Sequence, residues 1–282
     1  MTEPSENELG IHELDLNTIH PLSASDTKQG AKYIAIGTSG SGKSSVVKAL
    51  IYSKKDITPV GHIFSGTEDS NGFFGEFFPS TFIFRADDLQ SFIDLKTKDP
   101  MAYQQNPVVK FKERQKLAVQ YLEPSSQNPW ALEVWDDCTA DTKFLKRPIV
   151  SDIYKNGRHW RMLHISTYQY CMDLPTNVRE NINGVFILNG GNAKTVEKIY
   201  NNYVEASIDK AEFNDALATI AQDYTALYIN KKSKSGKIDD SLLYYRADLE
   251  KIPPSWKFGC KSFWDFHYAR GMMGPQDNFS IG

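Results

Sequence analysis

One octapeptide constrains this chain more than anything else in it. Gly37-Thr38-Ser39-Gly40-Ser41-Gly42-Lys43-Ser44 fits G-x-x-x-x-G-K-[ST] at every fixed position. The apolar run Lys32–Ile36 before it reads as a buried strand. Ser44–Ser53 after it carries apolar residues at helical spacing. Strand, glycine loop and helix in that order make an anion cradle. Glycines let backbone N–H groups curl round a phosphate with no Cβ in the way, and the helix N-terminus adds unpaired N–H groups and its dipole. The expected ligands are ATP and Mg²⁺. Lys43 is expected to bridge the β- and γ-phosphates and Ser44 to hold the metal. The loop residues Gly37 through Gly42, with Ser45 behind them, complete the nucleotide site.

The same alternation runs on along the chain. Gly61–Ser65, Thr81–Arg85, Trp130–Trp135, Arg161–Ser166 and Val185–Leu188 are further short apolar runs. Ala86–Leu95, Asn106–Leu122 and Thr142–Lys155 have helical spacing between them. Ala193–Tyr203 and Lys210–Ala221 add two helices. Tyr224–Ile229 and Leu242–Tyr245 form a late strand pair around the polar stretch Lys231–Asp240. Alternating strands and helices predict an α/β fold, a mostly parallel sheet with helices on both faces.

At 282 residues the chain could hold one large domain or two small ones. Nothing forces a second. We expect an acidic arm over 1–30 and one ATPase domain over 31–282, its last part from about 207 being an appendage to the same sheet. The arm holds six acids against Lys28 alone, and with a formal net charge of -3 the remainder stands at +2. A whole-protein basic field for nucleic acid is therefore absent. The arm reads as loosely docked, with a strand laid across a neighbouring subunit as the rival. Three cysteines without a CxxC pair speak against a disulfide framework or cysteine-rich zinc site and favour a reducing compartment. The acidic start does not read as a secretory signal, and no apolar run of about 18 residues exists to span a bilayer.

Asp136 and Asp137 close the run Trp130–Trp135. An acid at the end of a buried strand suits metal binding, so Asp136 is expected to hold Mg²⁺ with Ser44. Asp137 is expected to orient the attacking water as a base. Many such ATPases place Glu there, and Asp is one methylene shorter, so the loop must sit closer to the γ-phosphate. The plainer reading is that both acids cap the next helix, as Thr139 and Asp141 also could. Ninety-three positions separate Lys43 from Asp136, which leaves room for the two intervening strand candidates. A strand between the loop strand and the acid strand marks the additional-strand, RecA-like branch of P-loop NTPases. The guanine-specifying N-K-x-D is missing, since Asn230-Lys231-Lys232-Ser233 lacks the acid. Gln169 ends the polar strand terminus His164–Gln169. It is expected to sense the γ-phosphate and contact the lytic water, with Thr167 as the fallback and a surface turn as the plain alternative.

These residues carry a family likeness. From Lys32 to about Asn189 the chain resembles the genome-packaging ATPases of nucleocytoplasmic large DNA viruses, poxvirus-type members of the FtsK/HerA superfamily. The carriers are GTSGSGKSS at 37–45, EVWDD at 133–137, GRHWRMLHIS at 157–166 and QYCMDLPTNVREN at 169–181. The order of GRH, strand, Gln and LPxxxRxN is the most specific part. The resemblance implies a ring-forming, hexameric ATPase that pumps double-stranded DNA into a capsid. It implies the host-cell cytoplasm or a virus assembly site, and a capsid or virion-membrane protein as partner. It maps Lys43, Ser44, Asp136 and Asp137 onto the Walker residues and Gln169 onto the sensor glutamine. It also implies an arginine that completes a neighbour's site. Arg179 is the first choice and Arg158 the second, a salt bridge to Glu180 or Asp173 being the plain reading of Arg179. Two other functions stay open: a cellular or plasmid FtsK/HerA-like DNA pump, and a small-molecule or nucleotide kinase, whose arginine-rich lid the sequence does not display.

A translocase touches phosphates rather than base edges. Lys231, Lys232, Lys234 and Lys237 form the one basic cluster, with Lys143, Lys146 and Arg147 as the alternative. A solvated hairpin tip is the plain reading of the first group. Residues 256–268 are dense in aromatics and suit core packing, or failing that a contact with a neighbour or a capsid or membrane protein. His159 and His164 read as structural.

Overall fold

A computed structural model of the chain describes residues 10–19, 30–90, 99–138, 143–205, 207–233 and 237–270. Uninterrupted apolar runs build the centre of its sheet. β1 (Lys32–Gly37), β4 (Ala131–Asp136) and β5 (Met162–Tyr168) are buried at every position, as strands covered on both faces must be. β2 (Val60–Ser65), β3 (Ile83–Arg85) and β6 (Gly184–Leu188) join them in parallel. β7 (Thr225–Asn230) and β8 (Leu242–Arg246) add an antiparallel flank. The order across the sheet is β3-β2-β4-β5-β1-β6-β7-β8. A strand does separate β1 from β4, as the additional-strand reading requires. It is β5, from further along the chain, while the two intervening runs lie beyond β4 at the edge.

Successive strand residues point to opposite faces, and each face has its own core. Ile34, Ile36, Phe64 and Trp135 pack against α5 (Pro107–Leu122), α6 (Pro148–Asn156), α8 (Ala193–Tyr203) and α9 (Lys210–Ile220). Tyr33, Ala35, Ile63 and Val134 pack against α1 (Lys43–Ser53), the aromatic turn at Phe74–Phe78 and the C-terminal segment. Thr142–Lys155 is interrupted: a 3-10 turn at Phe144–Lys146 precedes Pro148, which starts α6 because a first-turn position needs no amide donor. Four short helices have no counterpart in the sequence reading: α2 (Glu68–Asn71), α4 (Pro100–Gln105), α7 (Thr176–Arg179) and α10 (Ile238–Ser241). α3 (Ala86–Gln90) begins the helix expected over Ala86–Leu95, whose remainder lies outside the described residues.

The described part of the arm is docked, and on its own chain. Ile11, Leu14 and Leu16 are buried. Leu14 N–H donates to Tyr244 O at 2.7 Å and Tyr244 N–H to His12 O at 3.0 Å, which covers the free edge of β8. Lys54 Nζ then donates to Leu16 O at 2.6 Å. Residues 1–9 and 20–29 lie outside the described residues. The aromatic C-terminal segment packs on the core as its composition suggested. Phe258 stacks on Phe78 at 4.7 Å, and Phe263, from α11 (Lys261–Ala269), on Phe82 at 4.3 Å.

Candidate active site

In a parallel sheet every strand delivers its C-terminal end to one edge. β1, β4 and β5 end there side by side, and their register fixes what meets. Gly37 pairs with Leu188, Tyr168 with Ile36 and Trp135 with Ser166, which brings Asp136 level with Thr167.

The glycine loop has the shape of a phosphate cradle. Gly40 and Gly42 take φ of 73° and 98°, which favours glycine. A Cβ on Gly37 would lie 2.3 Å from Leu188 O and 2.5 Å from Ser41 Oγ. Ser41 Oγ is itself buried and has no hydrogen-bond partner, an orphan that a phosphate oxygen would satisfy. Lys43 Nζ curls back to Gly37 O and Thr38 O, both at 2.9 Å. Burial lowers its pKa, and the acids Asp137 and Asp136 oppose that. Such a lysine gains by exchanging neutral carbonyls for charged phosphate oxygens.

Opposite the loop stand the acids. Ser44 Oγ donates to Asp136 Oδ2 at 3.3 Å, and Thr167 Oγ1 donates to Asp136 Oδ1 at 2.9 Å. Thr167 Oγ1 also accepts from Asp137 N–H at 2.9 Å. Gln169 Nε2 donates to Asp137 Oδ1 at 2.8 Å. One hydroxyl on β5 therefore couples both acids, and Gln169 closes the chain. Burial raises the Asp136 carboxyl pKa, against the pull of the Thr167 hydrogen bond. Hydroxyl and carboxylate oxygens are the hard donor set that Mg²⁺ takes, so Ser44 and Asp136 fit the metal. Asp137 has φ 51°, a conformation uncommon for a non-glycine residue and common at functional sites. Gly66 makes room for it: a Cβ there would lie 2.3 Å from Asp137 O. The capping alternative involves Thr139 and Asp141, which lie outside the described residues.

The arginine expectation needs correcting. Arg179 is 6% exposed. Its guanidinium donates to Leu174 O at 2.8 Å, Thr176 Oγ1 at 2.9 Å and Asn202 Oδ1 at 2.9 Å. Those donors tie α7 to α8 within the protomer and turn the guanidinium inward. The proposed salt bridge to Glu180 or Asp173 is not its partner set either. Arg158 is exposed and precedes β5, at the sheet edge opposite the glycine loop. Lys32 feels its charge and that of Lys232: burial first, and then the charges of Arg158 and Lys232, bring the Lys32 pKa down to about 8. Lys231 follows β7 at this same edge, while Lys234 lies outside the described residues. His164 is structural, inside β5 with its ring against Trp135 at 4.6 Å.

No protein-family model matches the chain. Protein 088R of Invertebrate iridescent virus 3, an uncharacterised protein, is 37% identical over 259 residues, 90% of this chain and 92% of that protein. Protein 075L of Invertebrate iridescent virus 6 is 36% identical over 265 residues, 93% and 95% of the two chains. This chain belongs to their family. This chain also shares the fold of a solved viral NTPase. The genome packaging NTPase B204 of Sulfolobus turreted icosahedral virus 2, in complex with ATP-gammaS, superposes with a TM-score of 0.51. The match covers 77% of this chain and 97% of that one at 13% identity, a level that establishes the shared fold. The sequence likeness to viral packaging ATPases is thus met in the fold, a P-loop NTPase, and in relatives from large DNA viruses.

The sequence offers Thr167 only as the fallback to Gln169, whereas in the structure both hydrogen-bond to the acids. Register could have placed Thr167 beside Asp136 had the strand order been known. Gly66 gave no signal, because its role is a close approach from a strand distant in sequence.

Proposed function

We propose that this chain is an ATP-hydrolysing double-stranded DNA translocase that packages a viral genome. The observation that carries the hydrolytic part is the Ser44–Asp136–Thr167–Asp137–Gln169 chain facing Lys43. Asp137, held by Thr167 and Gln169, is placed to orient a water for attack on the γ-phosphate and to accept its proton. Lys43 neutralises charge on the β- and γ-oxygens. Mg²⁺ bound by Ser44 and Asp136 supplies further charge stabilisation when present. Gln169 contacts Asp137 directly, so a change at the γ-phosphate can pass to β5. The packaging part is supported by the fold shared with B204 and by the iridescent-virus relatives.

The assembly we assign is a ring in which a neighbour's arginine completes the site. No arginine of the described residues joins the acids, which leaves room for that contribution. Head-to-tail rings put unlike surfaces in contact, and Arg158, exposed on the far edge, is the residue we assign to that role. Lys231 and Lys232 on that edge are assigned to the DNA phosphates.

The test is ATP turnover by purified protein with and without long double-stranded DNA, alongside Lys43→Ala. Stimulation by DNA that vanishes in the mutant is expected. Wild-type turnover in Lys43→Ala would overturn the site assignment. Turnover indifferent to DNA, from a protein that gel filtration shows to be assembled, would overturn translocation.

A further inference from the structure

The glycine loop, Lys43 and the acids engage the phosphates and leave the base to be held elsewhere. The catalytic groups fix the polarity of the nucleotide. Asp136, Asp137 and Gln169 come from β4 and β5, on one side of β1, so the γ-phosphate belongs there. The nucleoside must then leave the loop on the other side of β1, where β6 and β7 lie. Tyr224 stands on that side, in the turn that feeds β7. A Cβ placed on Gly42 would lie 3.2 Å from Tyr224 Cδ1, so the ring abuts the glycine loop itself. It is also 66% exposed, high for a large aromatic residue.

The backbone beneath the ring is unusual. Asp223 and Tyr224 have φ of 47° and 63°, and Asn189, after β6, has φ 70°. With Asp137, four of the six non-glycine residues with positive φ among those described sit along the edge that carries the phosphate loop. A bulky residue rarely adopts this conformation, and a fold keeps such strain where it serves a site. The Thr225 N–H donates to Gln222 O at 2.8 Å, which closes the turn and sets the ring's position.

We propose that Tyr224 is the platform on which the nucleotide's aromatic base stacks, the base-binding part of the site whose phosphate part is the glycine loop. This rests on the nucleotide-binding reading above. Stacking uses the π-face that every base has, so the platform adds affinity for the nucleoside without selecting among purines.

The experiment compares wild type, Tyr224→Phe and Tyr224→Gly by calorimetric titration with ATP and, separately, with inorganic tripolyphosphate. Tyr224→Gly is expected to weaken ATP about tenfold or more, to leave tripolyphosphate unchanged, and to raise the unfolding temperature of the nucleotide-free protein, because glycine accepts the left-handed turn without strain. Tyr224→Phe should bind ATP like wild type. ATP affinity retained in Tyr224→Gly would overturn the proposal. Equal loss of ATP and tripolyphosphate would also overturn it, because the ring would then be bracing the loop. Wild-type protein that binds neither ligand would sink the nucleotide reading itself, a result separate from the other two.

Discussion

The two edges of the sheet are built from opposite materials. The edge at the strand C-termini carries acids, hydroxyls and a glutamine in one hydrogen-bonded chain, on backbone that repeatedly enters the left-handed region. The other edge carries Lys32, Arg158, Lys231 and Lys232, without a comparable network. Chain direction in a parallel sheet explains the division. It gathers strand ends, and so reacting groups, on one side, and leaves the other free for a partner. A chain with near-neutral charge can thus keep two fields apart by placement alone.

The sharpest break in this picture would come from Arg158. If the two edges meet in a ring, Arg158→Ala should cut turnover of the assembled protein on the order of a thousandfold while leaving its unfolding temperature unchanged. Wild-type turnover would mean that the edges work independently. Arg179→Ala should do the reverse. It removes a buried guanidinium from three acceptors, at a cost of about 3 kcal/mol in stability, and calorimetry would register it where a turnover assay below the unfolding temperature would not.

A second effect, of about 10- to 100-fold, is expected at Thr167. Thr167→Val removes the hydroxyl that both acids use and should lower kcat at saturating ATP, whereas Thr167→Ser should restore it. An inert Thr167→Val would show that the acids need no common support.

The smallest effect concerns stability. Burial raises the Asp136 pKa, so the folded protein keeps that proton at pH values where the unfolded chain has released it. Stability falls as pH rises through that window, and the ionised carboxylate is a cost above it. Asp136→Asn should therefore abolish turnover yet stabilise the nucleotide-free protein by about 1 kcal/mol at neutral pH. The gap should close as the pH falls and Asp136 takes up its proton, which thermal melts at several pH values would follow.

Much of this was legible in the sequence for a simple reason. The glycine loop and the acids after Trp135 are local patterns whose meaning depends only on the strand or helix beside them, and the strands around them are uninterrupted apolar runs. What was not legible depends on neighbours distant in the chain. Arg179 lies in the motif that resembles a packaging ATPase, but its environment is made by Leu174 and Asn202, so a guanidinium expected to reach outward packs inward. Thr167 gains its double role only because β5 inserts between β1 and β4. The arm looked loose because its charges are dense, yet three of its apolar residues, Ile11, Leu14 and Leu16, are buried and decide where it goes. The split before Pro148 is the opposite case: proline is a local signal for a helix start, and the helical spacing around it masked the boundary.

The docking of His12 and Leu14 along β8 has a consequence beyond the protomer. It occupies one border of the sheet, and the other ends in β3, only three residues long. Among the described residues, neither border offers a second copy a long run of free backbone to zip onto. The ring proposed above would then join its copies through side chains, and such joints can let go and re-form at a shifted angle. The motor proposed above would need joints of that kind between its parts.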